Sequence, residues 1–528
     1  MNFITKAINE NMHLCENKDL AAQRWSQFEE QSKGKKIFVF GVGYGMDYFL
    51  RNCCDNIEIY GVLDNDRHKQ HQKLGWYCSE AWQTEYENII IQEPDILNTY
   101  KPQDIVVLIT SANYYQSIIE QLQQEGIDNV FLLLMMEVNK RKELNWEEMM
   151  EEDTDKLAYD YAKWCCQQEI ESNKIVMSYG EYGGHAKYIT KQLLRLRNDL
   201  DIVWLVYEPQ MEAPEGVRLV FKNNMKRYIY EMETAKIWLN DVTVHKYIIK
   251  RQNQIYIQTK HWSSITLKKF GLDDKSSCVS AEIESLVKRN GEMMDYLFSG
   301  SEFDEETYRS GYAFQGKAVR IGSARSDILF DKYVKQKVYS KFCLKPETQV
   351  LLYVPTYRHK EYIENRSMKV SLDFNGLLDV LRQKYGGEWY LFVRLHPRIS
   401  FEKSGIKESK WIINAGNYPD SEELVAASDI MVTDYSSIMF EGAFVKKPIF
   451  LYAPDKEEYI DGERGLWLDY DSLPFPIAET NDKLRHVIMD FDRRKYEEDV
   501  TNFLDRYGVH EDGHASERAA QFILDLLE

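Results

Sequence analysis

Three apolar runs of this chain close on residues suited to holding phosphate. QVLLYV leads into Pro355, Thr356, Tyr357 and Arg358; WYLFVRL carries Arg394 and runs into His396 and Pro397; DIMVT leads through Thr433 into Asp434, Tyr435, Ser436 and Ser437. Arginine binds phosphoryl oxygens bidentately, so Arg358 and Arg394 on one rim suit a diphosphate. The turn DYSS passes straight into the helix-like IMFEGAFV. That places Ser436 or Ser437 at an N-cap, where unpaired N–H groups and the helix dipole favour an anion. A serine cap alone is ordinary; the two arginines expected on the same rim shift the reading toward a diphosphate site. Two histidines stand at strand ends in different predicted lobes, His261 after QIYIQTK and His396 after WYLFVRL. A single strand-end histidine is most often a surface residue, but a facing pair can share a reaction. One imidazole can take a proton from a hydroxyl attacking phosphorus, and a second, protonated, can stabilise the phosphates.

For these residues to meet, their strands must be parallel, because ligands of open α/β sheets lie beyond the carboxyl ends of the strands. The pattern supports this. KKIFVFG at 35–41, the run 57–63, DIVVLIT at 104–110 and VFLLLM at 130–135 read as strands of a small Rossmann-like domain over residues 1–138, with a helix at 115–126. The charged segment 140–156 marks a linker or helix within residues 139–171. KIVMSYG, IVWLVY, AKIWLN and QIYIQT then define a second α/β unit, residues 172–340, with a helix from about Ala186 to Arg197. QVLLYV, WYLFVRL, DIMVT and PIFLYA, with a helix at 377–385, define a third, residues 341–528. The expected fold class is α/β: a GT-B-like pair of doubly wound parallel-sheet domains preceded by a small Rossmann-like domain.

Composition narrows the function. At 528 residues the chain exceeds one hydrophobic core, and 85 acidic against 66 basic residues give a net charge of -19. Such a charge disfavours nucleic acid as the main partner, while local cationic faces can still meet an anionic membrane. Eight cysteines without C-x-x-C spacing read as reduced thiols. No signal-like amino terminus and no membrane-spanning apolar run is present, so a cytoplasmic protein, peripheral if it meets a membrane, is expected.

The order of the segments is itself informative. YVPTYR, RLHP, and ASDIMVTDYSSIMFEGAFVKKPIFLYAPDKEEY with RG at 464 and 465 resemble the CDP-glycerol glycerophosphotransferases of teichoic acid and capsule synthesis. Upstream, WLNDV, YIQTKH with LKK at 267–269, DYLFSGSEF at 295–303 and RIGSARSDILF at 320–330 are similar to that family in the same order. The resemblance covers residues 172–480 and implies a GT-B fold. It implies transfer of a polyol phosphate, glycerol phosphate foremost, from a CDP-polyol to a hydroxyl of a lipid-linked glycopolymer at the cytoplasmic membrane face. CMP would be released, with no required cofactor and no metal. By position it implies His261 as base and His396 on the phosphate side. Thr356, Arg358, Arg394, Thr433, Asp434, Ser436 and Ser437 would then hold the donor, Tyr418, Pro419 and Asp420 lie near the cytidine, and Glu441 reach the ribose. One departure stands out: the family follows its first histidine with glycine, whereas here Trp262 to Thr266 precede Leu267 and Lys268. The acceptor loop is therefore expected to differ.

The amino-terminal domain carries Gly41, Gly43 and Gly45 in a β-α turn, with Met46 where a dinucleotide fingerprint has its third glycine, and Asp64 placed for a ribose hydroxyl. An NAD-type nucleotide there competes with a purely structural glycine turn, and Asp64-Asn65-Asp66 reads as an acidic loop cap before it reads as a metal motif. Rival functions are a GT-B glycosyltransferase using a nucleotide sugar, an NAD-dependent oxidoreductase, and a non-catalytic envelope-assembly protein.

Overall fold

The computed structural model describes residues 18–54, 57–78, 81, 86–112, 114–143, 154–180, 183–207, 213–222, 225–274, 280–356, 358, 370–396, 399, 401–462 and 465–528. Tyr357 and Pro397 lie outside the described residues.

Three parallel sheets organise the chain. The first holds β1 (Lys36–Phe40), β2 (Ile59–Leu63), β3 (Ile91–Gln92), β4 (Ile105–Ile109) and β5 (Val130–Leu132), in the order β3-β2-β1-β4-β5. All five residues of β4 are buried, as expected for an interior strand covered on both faces. The apolar run VFLLLM does not continue as strand to 135: β5 stops at Leu132 and Leu133 opens the helix Leu133–Glu143. A short unbroken apolar run cannot by itself separate strand from buried helix.

The second sheet holds β6 (Glu171–Gly180), β7 (Asp201–Val206), β8 (Val217–Phe221), β9 (Ala235–Asn240), β10 (Ile255–Gln258), β11 (Tyr296–Ser299) and β12 (Lys317–Arg320), in the order β12-β11-β10-β9-β6-β7-β8. The third holds β13 (Gln349–Val354), β14 (Trp389–Val393), β15 (Ile412–Asn414), β16 (Ile430–Thr433), β17 (Ile449–Tyr452) and β18 (Ile477–Ala478), in the order β15-β14-β13-β16-β17-β18. Every pairing in both sheets is parallel. The order reverses direction at β6 and β9 in one and at β13 and β16 in the other, which opens a crevice at each carboxyl edge.

The carboxy-terminal helix Ala515–Asp525 departs from the expected partition, in which residues 341–528 form one lobe. Ala515, Ala519, Ala520 and Ile523 share a core with Ile175, Leu239 and Ile257 of the second sheet. Alanine at this spacing lets the helix lie close against the middle lobe, burying surface that the third sheet does not offer. The chain therefore crosses twice between the lobes. Among the described residues no helix is long and apolar enough to cross a membrane.

Candidate active site between the two lobes

β10 ends at Gln258, and the chain turns toward the third sheet through Thr259 and Lys260. Lys260 takes a left-handed φ of 58°, and its buried ammonium pairs with Asp304 at 2.9 Å. The strained conformation thus falls one residue before His261. Trp262, standing where the family has glycine, needs no such freedom. Its indole packs on Phe270 with ring centroids 4.5 Å apart and donates to Asp304 at 3.4 Å. The departure foreseen from sequence is absorbed by an aromatic core. It leaves His261 exposed, edge-on to that indole, with ring centroids 4.8 Å apart.

From the third sheet, Arg394 follows β14. Its guanidinium donates to the carbonyls of Tyr418 at 2.5 Å and Ala415 at 3.2 Å, fixing the loop that the sequence placed near cytidine. Across the crevice, a cavity of 190 Å³ is lined by His185, Asp241, His261 and Arg325 from the middle lobe and by Arg394, Asp420 and Glu422 from the carboxy-terminal one. His261 and Arg394 therefore share one space. His396 is not among the residues that line it; its carbonyl accepts the Ile399 N–H at 2.8 Å. The structure brings one of the two expected histidines to this cavity.

Several expected donor contacts are engaged inside the protein. Arg358 pairs with Asp455 at 2.5 Å and Asp434 at 3.0 Å and lies over the rings of Tyr435 and Tyr459. Asp434 also accepts the Thr356 N–H at 2.8 Å, and the Thr433 hydroxyl donates to the Val354 carbonyl at 2.6 Å. These bonds tie β13 to β16 at the rim. Ser437 does occupy the N-cap of Ile438–Phe444, yet its side chain caps nothing in that helix. Its hydroxyl instead accepts the Leu267 N–H at 3.2 Å and lies 3.1 Å from the Thr266 hydroxyl, while Ser436 is 3.5 Å from the Ile438 N–H. Tyr418 donates to Glu423 at 2.6 Å. Asp420 is the N-cap of Ser421–Ala427 and also receives Lys187 and Tyr188 from the facing lobe. Glu441, expected at the ribose, is buried with Arg325 3.3 Å away. Burial raises its carboxyl well above the usual range, against the pull of Arg325. A wholly buried side chain cannot reach a ligand ribose without leaving that partner.

Sequence reasoning passed over His185, Asp241 and Arg325. Asp241 follows β9 directly and His185 lies in the first turn of the helix after β6, so the strand-end rule extended to the middle sheet points to both. Arg325 lies in the SARSD run. It joins Glu422 of the third domain and donates to the His261 carbonyl, a role set only by how the lobes meet.

At the first sheet, a 560 Å³ cavity lies at the carboxyl edge between β1 and β4, lined by Gly41, Gly43, Gly45, Asp64 and Lys69 among others. Gly41 has φ +108°, and a Cβ on Gly45 would stand 1.8 Å from the Thr110 carbonyl oxygen, so both glycines are required by the close approach of β4. Asp64 accepts the Val42 N–H at 2.7 Å and lies 3.3 Å from the Lys69 ammonium. The carboxylate expected at a ribose is thus spent on closing the glycine loop itself. It also accepts the Asp66 N–H at 2.8 Å, which makes Asp64-Asn65-Asp66 the acidic loop cap. Among the described residues no group of three or more His, Cys, Asp or Glu is arranged to hold a metal ion.

The family model of CDP-glycerol:poly(glycerophosphate) glycerophosphotransferases matches residues 161–525. The chain belongs to this family. It is a transferase of GT-B-like architecture, and its first sheet lies outside the matched region. The chain is 28% identical over 360 residues to a teichoic acid poly(glycerol phosphate) polymerase of Staphylococcus epidermidis, a match spanning 66% of this chain and 48% of that one. It is 29% identical to a polymerase of the same description from Bacillus spizizenii, over 62% of this chain and 84% of the relative. To a teichoic acid glycerol-phosphate transferase of Staphylococcus aureus it is 27% identical, over 65% and 90%. Among solved structures, the wall teichoic acid polymerase TagF superposes with a TM-score of 0.62 at 25% identity, covering 70% of this chain and 94% of that one.

Proposed function

We propose that this glycerophosphotransferase moves glycerol phosphate from CDP-glycerol onto a terminal hydroxyl of a lipid-linked glycerophosphate polymer, working as a peripheral protein at the cytoplasmic membrane face. The observation that carries the reading is the shared cavity. His261 from the middle lobe and Arg394 from the carboxy-terminal lobe meet there, in a chain whose residues 161–525 match this family. The acceptor oxygen attacks the β-phosphorus of the donor, and the bond from that phosphorus to the bridging oxygen breaks. CMP leaves with the electron pair, while the hydroxyl proton passes to His261. Such a transfer needs little covalent chemistry from the protein; it needs alignment and charge neutralisation. Arg394 supplies the positive charge on the donor side, while Arg325 and Lys260 are held at the lining by Glu422 and Asp304. The donor diphosphate would lie on the Arg394 side, and His396, two residues on, would contact it from outside the present cavity.

Mass spectrometry of the product from CDP-glycerol and a glycerophosphate oligomer tests this. Growth by one glycerophosphate unit with one CMP released is the expected result. Transfer of a group without phosphate would favour a nucleotide-sugar glycosyltransferase instead.

A further inference from the structure

His185 lies in the helix Gly184–Leu196, which follows β6, and it is 3% exposed while lining the same cavity as His261. Its Nε2 is 2.9 Å from the carbonyl oxygen of Trp262. A carbonyl only accepts, so Nε2 must carry the hydrogen and donate it. In the neutral ring this leaves Nδ1 as a lone-pair acceptor. Burial, with Lys260, Arg325 and His261 close by, holds the imidazole's basicity well below its ordinary value, so the neutral ring is the form present. The cavity is otherwise rich in donors: Lys260, Arg325 and Arg394 all border it. The carboxylates of Asp420 and Glu422 are already taken up by Lys187 and Arg325, and in the middle lobe the Asp241 carboxylate shares the lining with the His185 imidazole. A substrate hydroxyl must donate its own hydrogen somewhere.

We propose that His185 is a specificity-determining residue that accepts a hydrogen bond, through Nδ1, from the acceptor hydroxyl neighbouring the one that attacks. This rests on the transferase reading above. The ligand class is a vicinal polyol terminus, with the attacking oxygen beside His261 and the second oxygen beside His185. The bond to Trp262 fixes the tautomer and so fixes which chemistry Nδ1 can offer.

Two substitutions separate the two ring nitrogens. His185→Gln keeps an N–H donor where Nε2 stands and removes the Nδ1 acceptor; His185→Asn keeps an oxygen acceptor near Nδ1 and cannot reach Trp262. The probes are a glycerophosphate oligomer ending in glycerol and one ending in propane-1,3-diol phosphate, which lacks the secondary hydroxyl, each titrated calorimetrically. The wild-type protein is expected to bind the glycerol-ended oligomer about tenfold more tightly, the scale of one hydrogen bond. His185→Gln should bind both equally, and His185→Asn should keep the preference. CDP affinity, unchanged in both variants, reports that the fold and the other lobe are intact. A full preference retained by His185→Gln, or a wild type that binds the two oligomers equally or not at all, overturns the assignment. Absence of CMP release by the wild type from CDP-glycerol and the glycerol-ended oligomer would instead defeat the transferase reading, and the binding preference would be read independently of it.

Discussion

The Tyr188 hydroxyl, on the first helix of the middle lobe, donates to the Asp420 carboxylate of the carboxy-terminal lobe at 2.7 Å. Lys187 pairs with the same carboxylate, and both carboxylate and lysine are largely buried. This is a buried polar junction between the lobes, and Asp420 also lines the cavity. Burial alone would raise the Asp420 pKa, but Lys187 and the hydrogen bonds around it override burial and hold it well below the usual carboxylate range. A carboxyl depressed in the fold contributes stability above its unfolded pKa and loses that contribution as pH falls through the folded value. Asp420→Ala should therefore cost about 3 kcal/mol, the lower end for breaking a buried pair, because Glu423 remains 3.4 Å from Lys187. Urea unfolding at neutral pH measures it, and a loss below 1 kcal/mol, roughly the worth of a surface pair, would deny the junction its structural role.

His261→Ala should lower turnover at least ~100-fold, the lower range for removing a general base, with CDP affinity nearly unchanged because Arg394 and the loop it braces belong to the other lobe. CMP release under saturating donor gives the first number and calorimetry the second. Near-normal turnover would remove His261 from proton transfer.

Arg394→Ala removes a guanidinium that both borders the cavity and holds the carbonyls of Ala415 and Tyr418. CDP affinity should fall by about tenfold or more, as expected for losing a charged hydrogen bond. Arg394→Lys should restore only part of it, since a lysine cannot span two carbonyls and a phosphate with one planar fork. An unchanged CDP affinity in the alanine variant would place the diphosphate elsewhere.

Glu511 sits behind the segment that follows His261, accepting the Ser323 N–H at 2.9 Å and the Ser264 hydroxyl. Burial raises its pKa from 4.5 to about 7, the two hydrogen bonds and Lys260 only partly opposing this. The folded state then holds a proton that the unfolded state releases between those values, so stability falls as pH rises through that window. Glu511→Gln should lessen the fall of stability between pH 4.5 and 7 by about 3 kcal/mol, the remaining slope belonging to carboxyls such as Glu233, also raised to about 7. A variant whose melting curve keeps the wild-type slope would show that Glu511 is not the group responsible.

Much of the fold was legible because buried parallel strands are unbroken apolar runs. QVLLYV and AKIWLN are strands residue for residue as β13 and β9. Edge strands were not legible: β8, VRLVF, has Arg218 interrupting a short apolar run, and β3 and β18 have two residues each, too few for a periodic signal. Of the residues expected at the site from strand ends, His261 and Arg394 line the cavity, whereas Arg358, Thr433 and Ser437 make bonds within the protein. The reason is general: an arginine or serine at a strand end has the same sequence signature whether its partner is a phosphate or a carboxylate brought in from another segment. Only placement of Asp455 beside Arg358, and of Leu267 beside Ser437, shows which partner it has.

By itself the sequence determined three α/β units, the ordered segments that mark the family, and the strand ends at which chemistry would collect. Those follow from local pattern, since apolar runs and the polar residues that stop them are set within a few positions of one another. The tertiary structure alone decided that the final helix returns to the middle lobe, that Asp64 closes its own glycine loop, and that His185 joins His261 while His396 stays outside their cavity. Each depends on contacts between residues far apart in the chain, where burial and pairing across the lobes, and no local preference, fix which atoms meet.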